Sequence, residues 1–384
     1  QNTIVFNCAF SSNRAEGSIY PCYGGAIRGK SVHVYSCDFN NNFAENHGGA
    51  IYATNVTIDN AVPSSFASNT AKKGEGGAIY TDYLNENIKY LTLYNNSAAI
   101  DNSDDGGAIY LNKENHVTFS QCSIVSNHCG DEGGAIYLDS TSSSISLINN
   151  IIIANRAGDE GHVVFNKGNY DTINNNWWGD INPNIINGLL VEWKSVGSNV
   201  HHVDRDPLRS QLKIEDNPVG INETAVATYY FVKSDGSQFT GELEAPVSFI
   251  LPENIIKESS GKTPNTAYIK FKANKAGTYT ITANLHGQMI SNKVTITDNE
   301  KVDPNLSIKV NDITEGQKPV AVINANNTLN GKAEVKLNSS AATYQVNIVN
   351  GKGNVTIDRN LTVGQYTATL SYEGDDTFIP SNKS

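Results

Sequence analysis

The chain has 384 residues, room for two to four domains, and carries 39 Asp and Glu against 28 Lys and Arg, a net charge of −11 with 17% of residues charged. An acidic balance without basic patches argues against nucleic acid and anionic membrane surfaces as partners. No run of 18 apolar residues is present to cross a bilayer as a helix, so direct membrane insertion is not expected.

The first 165 residues repeat. A Phe-like residue, two residues and an Asn recur with Asn at 13, 42, 69, 96, 127 and 155, and Phe10, Phe39, Phe66, Leu93, Ile124 and Ile152 three positions earlier. A Gly-Gly-Ala-Ile-Tyr-like run accompanies each, at Gly24 to Ile27, Gly48 to Tyr52, Gly76 to Tyr80, Gly106 to Tyr110 and Gly133 to Tyr137, decaying at Gly161 to Phe165. Units of this length form arrays that bury their apolar edges against neighbouring units. Ahead of the Phe-like position the residues alternate, as in Val32-His33-Val34 and Ile145-Ser146-Leu147, which is the period of a half-buried strand. With no helical period, the spacing predicts a right-handed parallel β-helix of about seven coils, stacked about 4.8 Å apart. The Asn positions are expected to form a ladder of amides at a bend, and the glycine pair a turn with positive φ or close backbone approach. Gln1 already lies in repeat register, which reads as a stack whose upstream coils are missing.

Asn174-Asn175-Asn176-Trp177-Trp178-Gly179 falls at a seventh asparagine turn. The two tryptophans are expected to cap the apolar core, the alternative being an aromatic sugar platform. Trp193 belongs to 189–196, which reads as a strand leaving the stack.

From Leu212 onward, strands rich in Thr, Val and Tyr appear at the intervals of a sandwich. Ala276-Gly277-Thr278-Tyr279-Thr280-Ile281-Thr282 aligns with Val363-Gly364-Gln365-Tyr366-Thr367-Ala368-Thr369, and Ser291-Asn292-Lys293 with Ser381-Asn382-Lys383. Val294 to Thr297 has no counterpart in the second copy, which therefore reads as short of one edge strand. In each Gly-x-Tyr the hydroxyl is expected to bond back to backbone, as at a sheet corner, the alternative being an ordinary half-buried strand tyrosine. The expected class is all-β: a β-helix over 1–205, then Ig-like sandwiches over 206–298 and 299–384.

The paired FxxN and GGA[I/L] motifs resemble those of polymorphic outer-membrane adhesins of intracellular bacteria. With the Asn-Asn-Trp-Trp-Gly motif and the tandem sandwiches, the chain is still more similar to adhesin-like surface proteins of methanogenic archaea. That resemblance implies an extracellular cell-surface adhesin projecting a β-helix on a stalk of Ig-like domains, with surface glycans or proteins of neighbouring cells as partners. It brings no binding-residue motif with it.

All five cysteines, Cys8, Cys22, Cys37, Cys122 and Cys129, fall in the β-helix. Cys8 and Cys37 are equivalent in adjacent coils and within disulfide reach, yet an odd count favours thiols that pack as small hydrophobes. Nine Asn-x-Ser/Thr acceptors, six of them beyond residue 300, suit an exported protein.

Two stripes are candidate sites. Before the glycine pairs stand Asp104-Asp105, Asp131-Glu132 and Asp159-Glu160, stacked carboxylates that repel unless solvent or a cation intervenes. Calcium is the cofactor such oxygens suit; a solvated acidic edge is the alternative, and the Asp-x-Asp-Gly spacing of a dedicated calcium loop is absent. The second stripe is Arg28, Tyr52, Tyr80, Tyr110 and Tyr137, one per coil. With Ile27, Ile51, Ile79, Ile109 and Ile136 inward, strand parity turns these outward beside small alanines, a flat binding platform for glycan or protein; the opposite parity buries them. A β-helix polysaccharide lyase or glycosidase is the competing function, but the acidic positions follow the repeat and none joins a non-repeating acid–base cluster. His201-His202 with Asp204 has no third metal ligand at clear spacing. A non-catalytic protein is therefore expected.

Overall fold

The computed structural model describes residues 2–17, 20–98, 103–179, 206–215, 217–243, 245–298, 301–338, 342–375 and 377–384. Among the described residues the N-terminal part is a solenoid of four parallel sheets, with seven, six, five and four strands. Equivalent residues stack in register: Ile27 on Ile51, Ile51 on Ile79, Ile79 on Ile109, Ile109 on Ile136 and Ile136 on Val164. Phe10, Phe39, Phe66, Leu93, Ile124 and Ile152 do the same along the second sheet.

Three left-handed corners turn each regular coil. In one coil they are Ser36, Asn41 and Gly48, with φ of 50°, 55° and 64°. Every glycine corner, from Gly24 to Gly161, has φ between 64° and 71°, a conformation that costs roughly 1–2 kcal/mol with a side chain. The residue after each of the other two corners binds the next coil, except Leu91, which follows the corner at Tyr90 and packs in the apolar core. After the second corner this residue is the repeated Asn. Its backbone N–H and Nδ2 both donate to the Oδ1 one coil on, at 3.0 and 2.9 Å from Asn69 to Asn96 and from Asn96 to Asn127. Its second amide hydrogen goes to a carbonyl, as in Asn96 Nδ2 to Phe66 O at 2.8 Å. Asn42, Asn69, Asn96 and Asn127 are at most 1% exposed, so the amides satisfy buried backbone.

Asn96→Ala is accordingly expected to cost about 1–3 kcal/mol, because it strands groups on two coils. Asn13 makes its ladder bonds to Asn42 alone, and Asn13→Ala is expected to cost clearly less. Urea unfolding of the two variants measures the difference; equal losses would contradict a continuous ladder.

After the first corner the same place is taken by Cys8, Cys37, Cys122, Asn150 and Asn176. Cys37 N donates to Ser64 Oγ (3.2 Å), Cys122 N to Asn150 Oδ1 (2.9 Å) and Asn150 to Asn176 Oδ1 (2.9 Å). Each of these thiols also donates across its corner, as Cys37 Sγ does to Tyr35 O at 3.1 Å. All five cysteines are free thiols, and burial pushes Cys122 and Cys129 up to about 12. Cys8, Cys37 and Cys122 are corner ligands as well as fillers, a polar role the sequence reading did not assign.

The second glycine of each pair answers a different need. A Cβ on Gly49, Gly77 or Gly107 would lie 2.1 Å from the carbonyl oxygen of the equivalent glycine one coil on. In the last complete coil this place is His162, whose carbonyl is itself the atom that approaches Gly134. Parity also fails at this corner: Ala50, Ala78, Ala108 and Ala135 are fully buried in the main core together with the isoleucines that follow them. The alanines therefore do not flank the tyrosines on the outside, as strand alternation predicts, because the chain bends between the two inward residues.

At the far end the two tryptophans face opposite ways. Trp178, 2% exposed, closes the solenoid core. Trp177, fully buried, lies in the next core, with its ring 6.1 Å from Phe231. Trp177 bridges Ile151 on one side and Leu208 on the other. These burials support the capping reading and leave no sugar platform. The following residues form two packed sheets, one containing Arg209–Glu215, Ala225–Val232, Thr266–Ala273 and Ile255–Thr263 and the other Val219–Gly220, Gln288–Thr297, Gly277–Leu285 and Ser248–Ile250. Because their shared core takes in Val125, Ile151 and Trp177, the solenoid and this sandwich form one compact unit, Gln1–Ile296.

The second unit, Thr297–Ser384, again has two sheets around one core: Ser307–Val310, Val320–Asn324 and Lys352–Thr356 in one, and Thr343–Ile348, Gly331–Leu337, Ala368–Tyr372 and Ser381–Lys383 in the other. Tyr279 and Tyr366 each donate a hydroxyl to the carbonyl four residues upstream, Lys275 O and Thr362 O, at 3.0 Å.

Candidate functional site

The residue after each inward isoleucine points away from the core, so coil stacking lines up Tyr52, Tyr80, Tyr110, Tyr137 and Phe165. Their ring centroids are 5.0, 5.1, 5.0 and 5.3 Å apart, with interplanar angles of 15° or less. Such pairs contribute about 0.5–1.5 kcal/mol beyond area burial. The ladder is not open along its length. Tyr52 and Tyr80 are half-buried, whereas Tyr110 is 8%, Tyr137 3% and Phe165 1% exposed. The expectation of a flat platform including Tyr110 and Tyr137 is thus corrected. Lys167, paired with Asp139 at 2.5 Å, lies 5.4 Å over the Tyr137 ring, and Asn112 ties to Asp82 at 2.7 Å nearby. Burial pushes Tyr137 up to about 12 and raises Tyr80 and Tyr110 well above the usual phenol range.

The accessible end is chemically richer than the repeat suggests. Tyr23 takes the first rung, 4.6 Å from Tyr52, and the Arg28 guanidinium lies 5.0 Å over Tyr23 and 5.9 Å over Tyr52. His47 stacks 5.3 Å from Tyr23, lies tilted 5.0 Å from Tyr80 and pairs with Glu75. Burial raises the Glu75 pKa, but the His47 hydrogen bond and charge outweigh it and hold the carboxyl below its ordinary value. Arg28, Tyr52 and Tyr80 are thus brought together, joined by Tyr23, His47 and Glu75. Sequence reasoning missed Tyr23 and His47 because both stand before a glycine corner, where coils differ in length; the one available signal was an aromatic or imidazole ring directly preceding Gly24 and Gly48.

Arg28 with its neighbours makes a cation-and-ring surface suited to planar or sugar-like partners. The acidic stripe is placed differently. Backbones of Asp104, Asp131 and Asp159 are joined in series, at 3.2 and 2.9 Å. The carbonyls of Asp105, Glu132 and Glu160 accept from Gly76, Gly106 and Gly133 of the preceding coil, which withdraws oxygens a calcium site would use. The Asp105 carboxylate accepts from the Glu132 N–H at 3.0 Å. Among the described residues no group of three or more His, Cys, Asp or Glu is placed to hold a metal ion. Asp104, Asp105, Asp131, Glu132, Asp159 and Glu160, the residues of the calcium reading, do not form such a group. Trp193, His201, His202 and Asp204 lie outside the described residues.

The repeat of the Chlamydia polymorphic membrane protein family matches residues 36–54 and 63–82. These stretches carry His47, Tyr52, Glu75 and Tyr80. Over 84 residues, 21% of this chain, the sequence is 37% identical to a probable outer membrane protein, pmp6, of Chlamydia pneumoniae, and the chain covers 6% of that protein's length. Among solved structures, the Yersinia pseudotuberculosis adhesin InvE matches at 17% identity over 45% of this chain and 57% of its own, with a TM-score of 0.20. The Escherichia coli adhesin FdeC matches at 14% over 45% and 62%, with a TM-score of 0.25. Similarities of that size carry no functional weight by themselves. The repeat and its outer-membrane relative are consistent with an extracellular, cell-surface location. Among the described residues no helix is long and apolar enough to cross a membrane.

The acidic edge makes stability depend on pH. Burial, reinforced by the charge of Asp131, raises Asp105 to about 7, and burial with the charges of Asp131 and Glu160 raises Glu132 to about 7. Between the ordinary carboxylate values near 4 and about 7 the folded chain binds more protons than the unfolded chain, so stability falls as pH rises through that window. The folded solenoid is expected to melt higher at pH 5 than at pH 8, and Asp105→Asn with Glu132→Gln to flatten that slope. Melting curves across the window measure it; an unchanged slope in the double variant would remove these two groups as the cause.

Proposed function

We propose that this is an adhesin-like surface protein that attaches to glycans or proteins of neighbouring cells through the open end of its aromatic ladder, the two-sheet units acting as Ig-like stalk modules. The single observation that carries the reading is that the matched surface-protein repeat contains Tyr52 and Tyr80 of the accessible cluster, which Arg28 completes from the preceding coil. Half-exposed rings beneath a guanidinium combine apolar area with a fixed charge, the composition of binding hot spots. The role is non-catalytic.

Whole-cell binding and glycan-array measurements test it. Arg28→Ala with Tyr52→Ala is expected to reduce binding at least tenfold in a solenoid that melts lower but still folds cooperatively, whereas Tyr94→Ala, on an exposed ring elsewhere, leaves binding intact. Undiminished binding by the double variant would sink the assignment. A polysaccharide-processing reading would rest on the stacked Asp105 and Glu132, whose pKa values burial raises to about 7, a range that suits a general acid. Product release from a polysaccharide panel, lost in Glu132→Gln, would establish it in place of attachment.

A further inference from the structure

Two successive corners of the solenoid meet the loops of the first sandwich at a polar cleft. Its volume is about 330 Å³, and it is lined by Tyr90 and Gln121 from the corners and by Glu242, Lys262, Thr263 and Pro264 from the sandwich. All six belong to the compact unit Gln1–Ile296. The Tyr90 hydroxyl donates to Glu242 Oε2 at 3.2 Å, and Gln121 Nε2 donates to the same oxygen at 3.1 Å. Both donors thus use one carboxylate oxygen, and neither engages Glu242 Oε1. Gln121 Oε1 is a buried acceptor with no hydrogen-bond partner among the described residues, a cost that a donor brought into the cleft removes. The sandwich wall is fixed from behind: Leu243 N donates to Pro264 O at 2.7 Å, and the Asn265 amide donates to Phe239 O at 3.2 Å.

The repeat is broken at this place. Corresponding corners with positive φ carry the small or polar Asn7, Ser36, Gln121, Asn149 and Asn175, whereas Tyr90 holds an aromatic ring at a φ of 56°. A bulky side chain in that conformation is strained, and strain retained in a fold points to use. The next position changes with it, from an amide or thiol that binds the neighbouring coil to the apolar Leu91.

We infer that this cleft is a binding site for one neutral pyranose unit of a glycan. The two unspent acceptor oxygens call for hydroxyl donors, and the half-buried Tyr90 ring with Pro264 offers apolar area to the C–H face of a sugar. A carboxylate and an ammonium share the lining, so an anionic ligand meets Glu242 and a cationic one meets Lys262. An uncharged polyhydroxyl ring meets neither penalty. Ligand cavities run from about 300 to 1,000 Å³, and one at the low end of that range suits a single ring rather than a chain. The site is separate from the aromatic ladder, and neither assignment depends on the other.

Saturation-transfer NMR on the full chain tests it, with the methyl glycosides of glucose, galactose, mannose and N-acetylglucosamine as probes and the uronate and 2-amino forms of the glucoside as charged controls. At least one neutral glycoside is expected to give saturable transfer, strongest at ring C–H protons, with an affinity at least tenfold above either control. Tyr90→Asn installs the residue that the corners at Asn149 and Asn175 already carry, and Glu242→Ala changes an exposed position. Each is expected to fold and to weaken that binding at least tenfold, whereas Arg28→Ala with Tyr52→Ala leaves it unchanged. The inference is overturned by no saturable transfer from any neutral glycoside, by binding that survives both cleft substitutions, or by binding lost in the ladder variant, which would place the sugar on the ladder. It is overturned equally if the cleft substitutions shift the melting of the sandwich without changing affinity, since Tyr90 and Glu242 would then be a structural tie and no more.

Discussion

Gly107→Ala is expected to abolish cooperative folding of the solenoid's middle coils. An added Cβ would lie 2.1 Å from Gly134 O and 2.6 Å from the His128 carbonyl, all backbone atoms in the coil wall. Nothing at the end of a flexible side chain can yield, so two coils must part. The loss belongs with the exceptional substitutions above about 4 kcal/mol. Because each coil holds only its neighbours, the expected signature is a split or missing transition in urea, with reduced strand signal in circular dichroism. Gly236→Ala is the internal reference: its φ is 83° but nothing lies within 4 Å of a Cβ there, and a loss of about 1–2 kcal/mol is expected from backbone strain alone. Comparable losses at the two positions would mean that the coils are not packed backbone to backbone.

Trp177→Ala is expected to cost about 3–5 kcal/mol and to separate the melting of the solenoid from that of the first sandwich. Trp177 is the buried ring that joins Val125 and Ile151 of the coils to Leu208 and Phe231 beyond them. Trp178→Ala removes a ring of the same size from the other core and is expected to lower the solenoid's melting while leaving the sandwich little changed. Calorimetry resolves the alternatives; identical profiles for the two variants would show that the rings serve one core.

The coil was legible because its signals recur. Phe39 and Asn42 at one bend and Gly48-Gly49 at the next repeat in phase, and each answers a stereochemical need that every interior coil shares. What was hidden lay where neighbouring coils differ or where a simple period breaks. Alternation assigns sides along a strand, but Ala50 and Ile51 flank a bend, so both point inward and the alanine was put on the wrong side. Tyr23 and His47 come from connecting segments of unequal length and have no repeating address. The burial of Tyr110 and Tyr137 depends on Lys167 and Asp139, whose approach is a matter of three-dimensional packing. The division of labour between Trp177 and Trp178 likewise requires a second core, which a reading of the repeat alone does not contain.

The in-register stacking of coils also fixes how this molecule would behave under tension. The chain enters the solenoid at one end and leaves at the other, so a pull on it runs along the stack and loads the last rung of hydrogen bonds first. Consecutive asparagines of the ladder are 27 to 31 residues apart, and a released coil extends by about 3.3–3.6 Å per residue. Detachment would therefore proceed in near-equal steps of roughly 100 Å, each dissipating work while the remaining coils keep their shape, so that a solenoid of this design lengthens under load before it lets go.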